Sequence, residues 1–269
     1  RDPPPHRGGY GVIIAKAGDP TGRRGSRIAR NAYYNPAAPT TPGWERLVGI
    51  RWLGHSAFEL AYKGARVYVD PFISNNPKAP IGVDEVRGAD FILITHDHAD
   101  HLGDAEAIAR RAGATIVAIP EVAGALGGDL KKVQMNMGSM VDLGKGIRAA
   151  MVPAAHTANR GGPVGYVIEG DGTSIYHAGD TALFGDMALI KRLYSPDVAL
   201  LPIGGHYVMG PKEAAVALTL LEPKVAIPMH YGTFPVLRGE ASAFAEEAKR
   251  LAPSVKVVAL RPGESIEYP

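Results

Sequence analysis

Thr95-His96-Asp97-His98-Ala99-Asp100-His101 places three imidazoles and two carboxylates within six consecutive residues, 96–101. Packing does not call for such a run, because each of these groups must keep hydrogen-bond partners or water when it is enclosed. The segment follows Asp90–Thr95, a short continuous apolar stretch of the kind expected for a buried strand. It precedes Asp104–Arg111, where Ala105, Ile108, Ala109 and Ala112 share one helical face and Gly113 supplies the stop. Strand, polar loop, helix is an arrangement that gathers side chains at a sheet edge. In extended geometry His96 and His98, two apart, point the same way and can share one cation. Asp100 and His101 lie further round the turn and can face a neighbouring one. Neutral imidazole and carboxylate oxygen suit Zn²⁺, Mn²⁺ or Fe²⁺ by donor type.

One loop cannot close two sites, so further donors are expected at other strand ends. Three candidates stand there: His156 after the strand Ile147–Val152, Asp180 after Ser174–His177, and His230 after Val225–Met229. Singly, each fits a structural role. Together with the loop, and always beyond a strand's C-terminal end, they make a donor set for an edge-of-sheet metal site.

The remaining pattern supplies the frame. Strands are expected at Val48–Trp52, Ala57–Ala61, Ala65–Val69, Thr115–Ile119 and Val198–Pro202, with a last one at Val255–Leu260. Gly165–Glu169 and Ser174–His177 form a hairpin across Gly170-Asp171-Gly172. Helices are expected near Glu121–Leu126 and at Met187–Tyr194, Pro211–Leu221 and Ala241–Leu251, the third opened by proline. Two β-rich halves that each carry helices predict two sheets face to face with helices outside, a four-layer αββα sandwich of the α/β class. Residues 47–269 form this expected domain. Residues 1–46, with Pro3-Pro4-Pro5, Gly8-Gly9, Gly22-Arg23-Arg24-Gly25 and only Val12-Ile13-Ile14 strand-like, are expected to be a poorly ordered extension. The chain starts at Arg1 and its first methionine is Met135, which places the expected functional start near Leu47 or Val48.

Composition narrows the function. The 269 residues carry 29 basic and 27 acidic side chains, a formal net charge of +2, too balanced to argue for a nucleic-acid or membrane partner. The 46% hydrophobic and 21% charged content is ordinary for a globular protein. No apolar stretch reaches the roughly 18 residues of a membrane helix, and no signal peptide is seen, so a cytoplasmic location is expected. There is no cysteine, which excludes disulfides, thiolate nucleophiles and Cys-type zinc sites.

His-x-His-x-Asp-His followed by separate His, Asp and His resembles the pattern of the metallo-β-lactamase superfamily. The match is closer to its branch of small metal-dependent hydrolases, relatives of the L-ascorbate-6-phosphate lactonases. Gly54-His55-Ser56, Asp70-Pro71-Phe72, His177-Ala178-Gly179-Asp180-Thr181-Ala182-Leu183-Phe184, Met209-Gly210-Pro211 and His230-Tyr231-Gly232-Thr233-Phe234-Pro235 all resemble that branch, over about residues 48–269. The resemblance implies the αββα fold. It implies that His96, His98 and His156 hold one divalent metal ion, that Asp100, His101 and His230 hold a second, and that Asp180 bridges them. Zinc is the first expectation for the two ions, with manganese or iron as alternatives. A metal-bridging hydroxide would then attack a small ester, lactone or phosphoester, since paired cations lower the pKa of a shared water from ~15.7 towards neutrality.

Other residues near these motifs keep open roles. Asp97 is either an outer hydrogen-bond partner of an imidazole or a solvated or helix-capping group. Asp70, ending a strand, braces the metal loop or acts nearer the chemistry. His55 contacts the site or substrate, or is a plain turn residue. His177 is a buried hydrogen-bonding group or a catalytic one. His206 and Tyr207, in a loop that overhangs the same edge, are candidates for a general acid or for substrate binding. Phe184, Met209 and Phe234 line an apolar pocket or simply pack in the core. Asp180 and His206 are thus the catalytic candidates, beside the seven metal-ligand candidates. The expected partner is a small molecule, with self-association as a further expectation. Alternatives are a phosphodiesterase or nuclease, which the balanced charge disfavours, a metal-dependent oxidoreductase on the same fold, and a non-catalytic metal binder. Fold alone does not choose among them.

Overall fold

The computed structural model describes residues 47–269. The extension expected over 1–46, including the strand-like Val12–Ile14, lies outside the described residues.

Two seven-stranded mixed sheets form the core. The first contains β1 (Val48–Trp52), β2 (Phe58–Tyr62), β3 (Ala65–Val69), β4 (Phe91–Leu93), β5 (Thr115–Ala118), β6 (Lys131–Gln134) and β14 (Ser265–Tyr268), in the order β14-β1-β2-β3-β4-β5-β6. The second contains β7 (Met140–Gly144), β8 (Ile147–Pro153), β9 (Val164–Gly170), β10 (Thr173–His177), β11 (Val198–Pro202), β12 (Val225–Met229) and β13 (Lys256–Val257), in the order β13-β12-β11-β10-β9-β8-β7. The sheets face one another. The Tyr166 hydroxyl on β9 reaches the carbonyls of Ile94 and Val117 beside the first sheet, at 3.0 and 3.1 Å. One contiguous apolar cluster runs through both sheets.

Helices cover the outer faces, which makes the four-layer αββα sandwich. On the first sheet lie α2 (Ala105–Ala112) and α3 (Pro120–Ala125), and on the second α4 (Met187–Tyr194), α5 (Pro211–Leu221) and α6 (Ala241–Leu251). A four-residue helix, α1 (Ala99–Leu102), forms inside the stretch expected to be loop. The next helix begins at Ala105 rather than Asp104. The Asp104 carboxylate instead accepts from the Ile73 and Ser74 amides and the Ser74 hydroxyl, at 2.6–2.9 Å.

Strand direction decides where the site can be. β1 is antiparallel to β2, and β2 to β3, so β1 and β3 run the same way; β4 and β5 are parallel to β3. By the same count β8, β10, β11 and β12 share one direction in the second sheet. The turns after β1, β3 and β4 therefore leave one edge, and those after β8, β10, β11 and β12 leave one edge of the facing sheet. Thr95 and Val164 join these edges through a backbone hydrogen bond of 3.0 Å. Parallel strands offer ligand sites beyond their carboxyl ends, where loops diverge.

Four strands depart from the sequence expectation. β6, β7 and β14 were not anticipated, and the last strand shrinks from Val255–Leu260 to Lys256–Val257. β6, β7 and β13 border the sheets, and β14 closes the far end. Their residues are mostly half-buried or exposed, so they carry little of the apolar signal that marks inner strands.

Candidate metal centre

One cluster at the shared edge collects six of the chain's nine histidines. Ligand-type atoms of His96, His98 and His156 lie within 4.8 Å of one another, as do those of His55, Asp100, His101 and His230, and those of His96, His101 and Asp180. His96 Nε2 and His98 Nδ1 are 2.9 Å apart. Asp180 lies between the groups. Its Oδ2 is 3.1 Å from His230 Nε2 and 3.6 Å from His156 Nε2, and its Oδ1 is 3.3 Å from His101 Nε2. All seven ligand candidates thus meet at one place, although they span residues 96–230. His55 joins them as an eighth group.

The backbone is bent to achieve this. His55, Asp70, His206 and His230 have φ of 54°, 46°, 60° and 55°, a left-handed conformation that non-glycine residues enter at a cost of about 1–3 kcal/mol. Each lies just past a strand. Gly179 beside Asp180 has φ 60°, and a Cβ there would meet the Val164 carbonyl at 2.6 Å. Glycine lets the Asp180 turn press against the β9 entry.

Hydrogen bonds around the cluster choose which imidazole nitrogen is left free. Asp70 is fully buried and accepts from the Thr95 amide at 2.8 Å and the Thr95 hydroxyl at 2.6 Å. With its proton committed to Asp70, the Thr95 hydroxyl accepts from His96 Nδ1–H at 3.0 Å. His101 Nδ1–H donates to Asp70 Oδ2 at 2.7 Å. Both rings therefore turn Nε2 towards Asp180. A carboxylate behind an imidazole orients the ring and raises its basicity, as around metal-binding histidines.

The free atoms have no protein solution. His101 Nε2, His230 Nδ1 and Nε2, and Asp180 Oδ1 are buried without a hydrogen-bond partner. The Asp180 contacts are close in distance, yet His101 Nε2 and Asp180 Oδ1 miss hydrogen-bond geometry. His101 Nε2 and His230 Nε2 both face the Asp180 carboxylate, at 3.3 and 3.1 Å. Unpaired buried polar atoms cost about 1–3 kcal/mol each, and divalent cation binding would satisfy three of them, His101 Nε2, His230 Nε2 and Asp180 Oδ1. The donor set fits zinc, manganese or iron chemistry.

Electrostatics agrees. Although burial opposes it, the Asp180 and Asp70 carboxylates hold the His101 pKa well above its ordinary value. Burial likewise opposes ionisation of Asp180, but His101 and His230 hold its pKa well below the carboxylate range. The pocket demands positive charge beside Asp180. His96, by contrast, is pushed down to about 2 by burial and by neighbouring His101, and burial lowers His156 as well. These rings are neutral, as ligation requires.

Asp97 serves neither as an imidazole partner nor as a cap. Its Oδ1 accepts from the Asn159 and Arg160 amides at 2.7 and 3.2 Å, and its Oδ2 from Arg160 Nη1 at 3.0 Å. The carboxylate latches the loop that carries His156 onto the loop that carries His96 and His98. His177 is enclosed: its Nε2–H donates to the Ser56 carbonyl at 2.9 Å, and Nδ1 accepts from the Gly179 amide at 3.1 Å. Neither nitrogen is left for a cation or substrate.

His206 and Tyr207 follow β11 at the same edge but stand apart from the cluster. Both are exposed, and their rings pack edge to face at 4.3 Å. His206 lines a cleft of about 630 Å³ with Gly204, Gly205, Pro211, Arg238 and Glu240. A Cβ on Gly204 would collide with the His230 carbonyl, so this cleft wall and the centre are one peptide apart. Phe234 packs edge-on against His55 at 5.5 Å, Met209 is buried in the core, and Phe184 packs against it.

Two residues with roles at the site had no role assigned from sequence. Thr233 binds His55 Nδ1 at 3.0 Å, and Thr95 couples Asp70 to His96. Their adjacency to His96 and His230 was visible, but hydroxyl direction depends on partners far along the chain.

Residues 65–231 match the Beta-lactamase superfamily domain. A UPF0173 metal-dependent hydrolase of Caldivirga maquilingensis is 48% identical, over 82% of this chain and 98% of that protein. One from Methanopyrus kandleri is 50% identical over 81% and 99%. Among solved structures, Igni18, a metallo hydrolase from the hyperthermophilic archaeon Ignicoccus hospitalis, is similar with a TM-score of 0.79 and 38% identity, over 83% of this chain and 99% of that one. With its donor cluster at the joined sheet edges, the chain belongs to the β-lactamase superfamily and, within it, to the UPF0173 metal-dependent hydrolases.

Proposed function

We propose that this protein hydrolyses a small ester, lactone or phosphoester with two divalent metal ions, zinc foremost. His96, His98 and His156 would hold one ion, Asp100, His101 and His230 the other, and Asp180 both. The observation that carries the reading is the position of the Asp180 carboxylate, within 3.1–3.6 Å of imidazoles from both groups. When bound, paired cations make water acidic enough to ionise near neutral pH and neutralise charge developing on the attacked group.

The chain's own residues supply the rest. Asp70 and Thr95 bind Nδ1 of His101 and His96 and so fix both rings with Nε2 towards the centre, and neither ring has to turn when ligands engage. Asp97 holds the His156 loop closed over the centre. His206 is exposed, follows β11 at the same edge as the centre, and borders a cleft large enough for a small substrate. Its imidazole would protonate the leaving group, with Tyr207 binding substrate beside it. Residues 47–269 are the unit that does this chemistry, and the 1–46 segment is an extension to it. Among the described residues no helix is long and apolar enough to cross a membrane, and the net charge of +2 gives no polyanion-binding field, which favours a small-molecule substrate.

The test is metal analysis of protein purified without added metal, followed by a screen of lactones, esters and phosphodiesters before and after chelation. About two equivalents of metal, and hydrolysis that chelation abolishes and metal restores, are expected. Hydrolysis that survives complete chelation would overturn the proposal.

A further inference from the structure

The turn between β1 and β2 brings His55 to the centre, and its ring is held from every side. Gly54 and His55 take consecutive positive φ values of 91° and 54°, which swings the side chain inward. The His55 carbonyl accepts from Trp52 Nε1–H and from the His230 amide, both at 2.9 Å. Phe72 and Phe234 meet the ring edge-on at 5.8 and 5.5 Å, and the His230 ring lies 3.9 Å away. The side chain is fully buried.

His55 differs from the His101 and His230 rings beside it in one respect. Nδ1 meets Thr233 Oγ1 at 3.0 Å and Nε2 meets Asp100 Oδ2 at 3.0 Å, so both nitrogens are engaged. The Nε2 atoms of His101 and His230 have no hydrogen-bond partner. Those two atoms meet no hydrogen-bonding protein partner among the described residues, whereas His55 Nε2 already holds the carboxylate of Asp100. Because Asp100 only accepts, Nε2 must carry the proton, and the Thr233 hydroxyl must then donate to Nδ1. The alternative acceptor for that hydroxyl, the Tyr231 carbonyl, is 3.5 Å away.

Asp100 needs such a partner. It sits on the four-residue helix α1, and its side chain is 32% exposed. An exposed carboxylate on a short helix keeps its rotamer freedom unless something holds it.

We propose that His55 is a positioning residue, not a ligand: through the relay Thr233–His55–Asp100 it locks the Asp100 carboxylate in the direction needed by the cation that Asp100, His101 and His230 would share. This rests on the two-metal reading above. It ties the ligand loop of the first sheet to the β1–β2 turn and to the His230 turn of the second.

Titration of metal-free protein with Co²⁺ against a chromophoric chelator tests it, with the visible ligand-field bands recorded alongside. The wild type is expected to take up two equivalents. His55→Ala should weaken one equivalent by about 10–100-fold and leave the other unchanged, the range found when an outer partner of a ligand is removed. His55→Gln can still offer an N–H near the position of Nε2 and should recover most of the loss. Thr233→Val, which releases the tautomer but keeps the ring, should weaken the same equivalent less. Two unchanged equivalents in a folded His55→Ala protein would overturn the role. So would a ligand-field spectrum altered as in His101→Ala and unrescued by glutamine, which would make His55 a ligand. If His55→Ala does not fold, unchanged affinity in Thr233→Val overturns it. A wild type that binds fewer than two equivalents sinks the two-metal reading, and this role with it.

Discussion

Replacing Asp97 by alanine removes the latch between two ligand-bearing loops. The carboxylate side chain is only 1% exposed and accepts two backbone N–H groups and one guanidinium. Hydrogen bonds to a charged acceptor contribute about 1.5–3 kcal/mol each. The Arg160 side chain is 56% exposed, so that pair is screened by solvent and adds little. The two backbone donors dominate. They belong to a half-buried to exposed stretch that water can reach once the latch opens, which discounts the sum. A net loss of about 2–4 kcal/mol follows. For a domain of this size it corresponds to about 5–15 °C in the thermal midpoint. Asp97→Asn keeps one acceptor oxygen and loses the charge, so it should fall roughly halfway. The opening should also weaken binding of the cation that His96, His98 and His156 would share, because His156 is on the released loop. Calorimetry of metal-free protein, with Co²⁺ competition on the same samples, measures both effects. A folded Asp97→Ala protein with wild-type midpoint and wild-type affinity at both equivalents would refute the latch.

Other outcomes follow from the same geometry. Asp180→Asn preserves shape but removes the charge facing both groups, so metal content and hydrolysis should fall together; full activity in that variant would exclude a bridging role. Metal affinity should rise about tenfold per pH unit from about pH 6 to 7, because the raised His101 pKa leaves one proton for the cation to displace, while His96 is already neutral. In the metal-free chain that raised pKa contributes stability complete below the ordinary 6.5 and lost as pH climbs through the folded value. A flat affinity profile in Co²⁺ competition would contradict this assignment. His206→Ala should lose one limb of the pH–rate profile with little change in metal content, and a profile that keeps both limbs excludes it as the general acid.

The inner strands were legible because burial on both faces leaves no alternative to continuous apolar sequence. β11 and β12, Val198–Pro202 and Val225–Met229, are buried at every residue, and their bounds match the sequence expectation. The amphipathic helices Met187–Tyr194, Pro211–Leu221 and Ala241–Leu251 were legible for the related reason that one face must be apolar. The side chains that cluster at the joined edges could also be named in advance, since imidazole and carboxylate gathered after strands have few other uses. Tertiary structure alone decided what those donors face. Whether His55 touches Asp100, 45 residues away, or Asp97 holds Arg160, 63 away, depends on which loops two sheets bring to a common edge. Border strands such as Lys131–Gln134 exist only because a neighbour supplies half of each hydrogen bond. Local sequence encodes a residue's own preferences for burial and backbone shape. The partner of a hydrogen bond, and with it the free nitrogen of each histidine, is a property of the assembled sandwich.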